Sequence, residues 1–264
     1  MIKLEAVHIV REKAELIRDF SYCFMPGKKY VLVGQNGAGK SSLIRGITGQ
    51  WPIARGRLQW QGQDLHAGAL RDLALRRAVL SQHMAVNFPI SACQLVEMGS
   101  YASPKPLLKR DVKRLVEEAL ERVRMQDFAG RDYRSLSGGE QKRVQLAKCL
   151  VQLRVTESDE RAQWLILDEP NAGLDLSEQY KLAGTINELV LEKNYGVIAV
   201  LHDLNLAALM ADEILYLKGG RLHHAGPAAR MLEPSIIREV LDLPADIPLP
   251  IPDRSQFLSR LLHV

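Results

Sequence analysis

The stretch GQNGAGKSS, residues 34–42, follows the apolar run Tyr30-Val31-Leu32-Val33 and precedes the helix-like segment LIRGITGQ. Its spacing fits G-x-x-x-x-G-K-[ST] at every fixed position: Gly34, Gly39, Lys40 and Ser41. Glycines at these points let the chain curl so that successive N–H groups point inward, and a helix beginning near Lys40 adds its positive end at the same spot. Lys40 is placed to reach the β- and γ-phosphates of a nucleotide, and the Ser41 hydroxyl to ligate Mg²⁺. Gln35, Asn36, Gly37 and Ala38 within the loop, and Ser42 just past it, belong to the same expected cradle. A plain turn between a strand and a helix has no need of the Lys-Ser pair, so the reading is a nucleotide site.

The rest of the chain alternates around this loop. Residues 2–7 and 20–25 read as short strands, 30–33 as a buried strand and 40–49 as a helix. GRLQWQGQDL (56–65) reads as a hairpin turning at Gly62, and RRAVLSQ as a strand ending near Leu80. From about 91 to 153 the apolar spacing turns helical, with Val112, Leu115, Val116, Ala119, Leu120 and Val123 recurring every three or four residues. Strands return at 163–170 and 195–203 with a helix between them, and a last strand pair turns at Gly219-Gly220. The expectation is an α/β core with an antiparallel β-subdomain (1–87 and 164–230), a helical subdomain inserted at 88–163, and a C-terminal extension at 231–264.

No apolar run approaches the roughly 18 residues that span a bilayer, and the N-terminus lacks a signal-peptide pattern, which points to the cytosol. Cys23, Cys93 and Cys149 are scattered, with no C-x-x-C, so neither a disulfide framework nor a cysteine zinc site is expected. A net charge of +4 over 264 residues is modest and gives no reason to expect a nucleic-acid partner.

WLILDEP supplies the second signal. Trp164 to Leu167 read as a strand buried on both faces, with two carboxylates at its C-terminal end, where ligands bind in open parallel sheets. Asp168 is placed to hold Mg²⁺. Glu169 has no ion partner apparent in the sequence and is the candidate general base that polarises the attacking water.

SLSGGEQKRVQLAKCL supplies the third. Ser137-Gly138-Gly139-Glu140 fits the S-x-x-E capping box, so a helix begins here with Val144, Ala147, Leu150 and Val151 on its buried side. Two glycines beside the serine leave the helix N-terminus bare, a second anion site in one chain. One nucleotide does not readily use both within a subunit. A head-to-tail homodimer resolves this, with each nucleotide between the phosphate loop of one copy and the serine-glycine helix of the other.

With these motifs in order, the chain resembles the ATP-binding cassette ATPases of membrane transporters, over about residues 1–240. The resemblance rests on GQNGAGKS (34–41), Gln82 in LSQH, LSGGEQ (136–141), LILDEP (165–170), AGLD (172–175) and His202 in VLHDLN. It implies a P-loop NTPase (RecA-like) core that binds ATP and Mg²⁺. By the same resemblance, Gln82 touches Mg²⁺ and reports to the helical subdomain, and Ser137 and Gly139 contact the γ-phosphate across the dimer. Asp175 would help couple the two sites, and His202 would hold the γ-phosphate and water.

SQHMAVNFPISACQLVEMGS, RDYRSLSGGEQKRVQLAKCLVQL and LHDLNLAALMAD are most similar to ATPases of hemin importers, within the branch that imports metal chelates, and vitamin B12 and ferric siderophores remain alternatives. RVTESDERAQ (154–163) also occurs in that branch. The implied partners are transmembrane permease subunits and, indirectly, a periplasmic substrate-binding protein, with the chain at the cytoplasmic face of the inner membrane. Two features depart from the family. HIVREKAE offers no aromatic for adenine, leaving Arg11 or another residue, and NAGLD replaces a serine- or threonine-rich version. His83, Asn87 and Phe88-Pro89-Ile90 read as a surface loop, because proline removes a ladder donor from any core strand.

Overall fold

The computed structural model describes residues 1–65, 70–82, 86–157, 161–193 and 195–244. His83, part of the 154–163 segment and the Pro-rich tail beyond 244 lie outside the described residues.

Two long strands open the chain, β1 (Ile2–Arg11) and β2 (Ala14–Phe24). They form one hairpin, turning at Glu12-Lys13, which both adopt positive φ (49° and 70°), the backbone that matches strand twist in a two-residue turn. The sequence pattern predicts only short separate strands at 2–7 and 20–25. The strands run on to the turn, and irregularities in pairing, between Leu4 and Val7 and again up to Val10, break the alternation from which their full length could be read.

β3 (Lys29–Val33) leads through the glycine loop into α1 (Lys40–Ile47), two residues shorter than the expected helix at its C-terminal end. β4 (Arg55–Trp60) and β5 (Gln63–Asp64) then turn at Gln61-Gly62, as expected. These strands complete an antiparallel sheet in the order β2-β1-β4-β5.

The chain continues through α2 (Leu70–Ala74) and β6 (Arg77–Leu80) into the helical stretch of α3 (Ala92–Glu97), α4 (Lys109–Arg122) and α5 (Gly138–Val155). β7 (Trp164–Asp168), α6 (Leu176–Lys193), β8 (Gly196–Val200) and α7 (Leu204–Met210) follow. β9 (Glu213–Lys218), β10 (Arg221–Pro227), α8 (Ala228–Met231) and α9 (Pro234–Leu241) complete the described chain. Gly219 and Gly220 form the β9–β10 turn with φ of 55° and 77°. The second sheet has the order β10-β9-β3-β8-β7-β6, parallel throughout except for the antiparallel β10–β9 pair.

Period-two alternation sorts the central strands into two cores. Tyr30, Leu32, Trp164, Ile166, Ile198, Val200 and Leu215 face the antiparallel sheet and α1. Val31, Val33, Leu165, Leu167, Val197 and Ala199 face the helices, in one cluster with Val116, Leu120 and Leu150. Both faces are covered, which is why these strands read as unbroken apolar runs. Trp60 and Trp164 meet edge to face across the first core at 6.2 Å, and the Trp60 indole N–H donates to Ile47 O at 3.0 Å.

In α4, Val116, Ala119 and Leu120 are buried, on the face the spacing predicts. α5 carries more: Leu146, Cys149 and Leu153 are buried besides Val144, Ala147, Leu150 and Val151, because it runs between the other helices and β6. All three cysteines are free thiols. Among the described residues no helix is long and apolar enough to cross a membrane.

Candidate functional site

Four neighbouring parallel strands, β3, β8, β7 and β6, end on the same edge of the sheet. The phosphate loop follows β3, His202 follows β8, Asp168 and Glu169 close β7, and Gln82 follows β6. Strand order thus gathers residues up to 168 positions apart in sequence into one row.

The loop is shaped by its glycines at two points. A Cβ on Gly34 would stand 2.3 Å from Leu217 O, so only glycine lets the loop leave β3 against β9. Gly39 has φ of 101° and directly precedes α1, where a Cβ would strike Leu16 O at 2.8 Å. Lys40 is buried, and its ammonium donates to the loop carbonyls of Gly34 (2.8 Å) and Gln35 (3.0 Å). Burial lowers its pKa, opposed by Glu169 and Asp168. The Gln35 amide donates outward to Leu241 O and Asp242 Oδ2. Asn36 and Gly37 are exposed, Ala38 is buried and Ser42 is half-buried.

The Ser41 hydroxyl donates to Asp168 Oδ1 at 3.2 Å. Burial raises the Asp168 pKa, the Ser41 hydrogen bond opposing it. Two oxygens from hydroxyl and carboxylate suit a small hard cation, so the pair fits Mg²⁺. Next to it, Glu169 sits at φ 51°, a left-handed conformation that turns its side chain away from the strand's line. Its Oε2 accepts from Gln82 Nε2 at 2.5 Å, and its Oε1 lies 2.8 Å from His202 Nε2. The sequence showed no partner for Glu169. The structure supplies two, from loops 87 and 33 residues away.

The serine-glycine helix, α5, begins as its capping box predicts. Ser137 Oγ accepts from the Glu140 N–H at 3.3 Å, and Glu140 Oε2 accepts from the Ser137 N–H at 2.7 Å. Ser137 and Gly138 are exposed and Gly139 half-buried, at the start of α5. Asp175 is exposed and accepts from the Glu178 N–H at 2.9 Å, the hydrogen bond of a helix N-cap. Neither Ser137 nor Asp175 belongs to the Glu169 cluster within the subunit. Arg11, offered for adenine, lies with its guanidinium 5.2 Å from the centre of the Trp51 ring, which the Arg45 guanidinium also approaches, at 4.8 Å.

Sequence reading missed Lys142 and Arg143, which follow LSGGEQ directly. The half-buried Lys142 ammonium donates to Ser81 O (3.2 Å) and Gln82 O (2.7 Å), tying α5 to the Gln82 segment. Arg143 pairs with Glu178 at 3.2 Å, tying α5 to α6. The adjacent basic pair was the available signal, but its targets are visible only once β6 and α6 are placed.

A phosphate loop beside a hydroxyl–carboxylate pair, on the carboxyl edge of a parallel sheet, is the layout of a P-loop nucleoside triphosphatase. The chain belongs to the ABC transporter family, whose family pattern matches residues 17–172, and is an ATPase of that family. It is 42% identical over 217 residues to a hemin import ATP-binding protein HmuV of Rhodopseudomonas palustris, covering 82% of this chain and 79% of that protein. It is 38% identical to the HmuV of Hahella chejuensis over 96% of this chain and 98% of the relative. The fold is shared with the dimeric ATP-binding cassette MJ0796 bound to ADP and Pi, at 20% identity and a TM-score of 0.77 over 86% of this chain and 99% of that one. It is shared also with cbiO1 of Clostridium perfringens, part of the cbiONQ transporter complex, at 22% identity and a TM-score of 0.77, over 100% of this chain and 98% of that one.

Proposed function

We propose that this chain is the ATP-hydrolysing subunit of an importer that draws hemin across the cytoplasmic membrane through a partner permease. It would work as a head-to-tail homodimer on the membrane's cytoplasmic face, with a periplasmic binding protein delivering the cargo. The observation that carries the hydrolytic role is Glu169, held between Gln82 and His202 beside the Ser41–Asp168 pair. Hemin as cargo rests on the HmuV relatives, which match up to 96% of the chain.

Within the site, Lys40 would exchange its two loop carbonyls for phosphate oxygens. Ser41, Asp168 and the side-chain oxygen of Gln82 would hold Mg²⁺, which when bound offsets the negative charge on the transferring phosphoryl group. Glu169 would accept the proton of the attacking water while His202 orients it. Ser137 and Gly139 of the second copy would close the γ-phosphate side, and Asp175 would lie along the same contact.

The test is reconstitution with the cognate permease in proteoliposomes containing ATP. Hemin should accumulate on the ATP-dependent transport axis, and cyanocobalamin at the same concentration should not. Cyanocobalamin transport without hemin transport, with ATP hydrolysis intact, would overturn the cargo.

Phe88 is 57% exposed, beside exposed Asn87 and Pro89, and no strand runs through this segment. An exposed aromatic offers a partner much apolar area at small entropy cost. Phe88→Ala should therefore leave solution ATPase and Tm nearly unchanged yet weaken permease binding and ATP-driven uptake. A large drop in Tm would show instead that Phe88 fills an internal gap.

Lys142→Met should keep the apolar stem but remove two charge-assisted hydrogen bonds to the Gln82 segment. Such bonds are worth about 1.5–3 kcal/mol each, so a tenfold or greater fall in kcat is expected, with KM for ATP within about twofold. Unchanged kcat would show that the tether does not position Gln82.

A further inference from the structure

Successive residues on a strand face opposite sides of a sheet, so His223 and His224 on β10 should diverge. They do not. Leu222 stands opposite Leu217 and His224 opposite Tyr216, so β10 advances two residues where β9 advances one. His223 is the extra residue of a bulge, a device that re-aims a side chain. The two imidazole rings lie 5.7 Å apart, their planes inclined at 53°.

Glu239, on α9, reaches the same spot. His224 Nε2 lies 3.1 Å from Glu239 Oε1, and His223 Nδ1 lies 3.9 Å from the same oxygen. Each of the three residues offers a ligand atom within 4.8 Å of the other two. A tetrahedral ion with bonds of about 2.0–2.1 Å holds its donors roughly 3.3 Å apart, so small side-chain rotations complete the set. All three side chains are partly exposed, between 32% and 56%, which gives a hydrated ion a way in.

We propose that His223, His224 and Glu239 form a divalent transition-metal site that clamps α9 to the edge of the parallel sheet. Two imidazoles and one carboxylate are the donor set of open three-ligand zinc sites, with water in the fourth position. Imidazole selects zinc, cobalt, nickel or copper over Mg²⁺ and Ca²⁺, which separates this site from the Ser41–Asp168 pair. An ion pair alone needs only one histidine for one carboxylate. The bulge brings a second to the same oxygen.

The clamp would sit close to the phosphate loop. The last turn of α9 accepts the Gln35 amide through Leu241 O (3.1 Å) and, just beyond, Asp242 Oδ2 (3.3 Å). Lys218, at the end of β9, donates to Asp242 Oδ1 at 2.5 Å and to Glu239 O at 3.4 Å. Fixing Glu239 to β10 therefore fixes the helix on which Gln35 leans. Sequence reading sought cysteine pairs and missed this site, whose ligands are two adjacent histidines and a glutamate 15 residues on.

The test uses the full-length chain, freed of metal with a chelator and titrated with ZnCl₂ or CoCl₂ without nucleotide. One equivalent of zinc should bind, and cobalt should give visible ligand-field absorption. At zinc concentrations about a hundredfold above Kd, Tm should rise by roughly 5 °C. The double variant His223→Ala/His224→Ala should lose at least tenfold in zinc affinity together with the Tm rise. Glu239→Gln keeps a hydrogen-bonding group against the imidazoles and should weaken zinc comparably, which serves if the double variant folds poorly. Zinc affinity unchanged in both variants, or abolished by His202→Ala alone, would overturn the proposal. So would an equal Tm rise with MgCl₂ that depends on His223 and His224.

Discussion

Glu169→Gln should bind ATP as the wild type does and lose hydrolysis by roughly a hundredfold to a thousandfold, the loss expected when a general base is removed. That corresponds to about 3–4 kcal/mol of barrier. The substitution is nearly isosteric, so its effect isolates the carboxylate. Gln82 and His202 now meet Glu169 at 2.5 and 2.8 Å. An amide can accept from one of them and donate to the other, so the fold of the site should survive. With hydrolysis blocked and ATP bound, the two copies should stay together. Gel filtration with ATP and Mg²⁺ should show a dimer for the variant at concentrations where the wild type returns to monomer. Phosphate release near the wild-type rate would remove Glu169 from the role of base.

The legible part of this molecule is the part encoded by short, local chemistry. Gly34 to Ser41, the S-x-x-E box at Ser137 and the apolar strand before Asp168 each announce themselves in a few consecutive residues, and each forms the element its pattern predicts, although the close approaches that demand Gly34 and Gly39 come from Leu217 and Leu16, far away in sequence. The Gly219-Gly220 turn is legible for the same reason, since positive φ is a local demand. The β1–β2 hairpin was only half legible. Ala6 and Asp19 take positive φ within its strands, and the pairing slips where alternation would have announced it.

Long-range placement is where reading the sequence ended. Family resemblance named Gln82 and His202, but nothing local showed that both grip Glu169, because the contact exists only once β6, β7 and β8 lie side by side. Lys142 is the sharper case. It sits in a helix whose face could be read, yet its ammonium serves two carbonyls on a segment about 60 residues earlier. The same limit hid the convergence of His223, His224 and Glu239, which needs an irregular strand and a packed helix together.

Ser137→Arg carries the second large effect, and it tests whether the site is shared between copies. Among the described residues the hydrogen bonds of Ser137 run to the start of its own helix: it caps Glu140 and is capped in return. Losing that cap costs about 1 kcal/mol, and a cation at a helix N-terminus adds roughly 0.3–1 kcal/mol of unfavourable dipole interaction. The buried length of α5, from Val144 to Leu153, is untouched, so the chain should fold with a slightly lower Tm. Hydrolysis should nevertheless fall by about a hundredfold or more, because an exposed, bulky side chain stands where the second copy's nucleotide would dock. Ser137→Ala, which loses the same cap without the bulk, should fall much less. Nucleotide affinity of the monomer should stay within about twofold, since the Gly34–Ser41 loop and Ser137 share no hydrogen bond among the described residues. In the Glu169→Gln background, Ser137→Arg should also abolish the ATP-dependent dimer. If monomer affinity collapsed instead, the serine-glycine helix would serve the nucleotide of its own subunit, and the head-to-tail arrangement would be wrong.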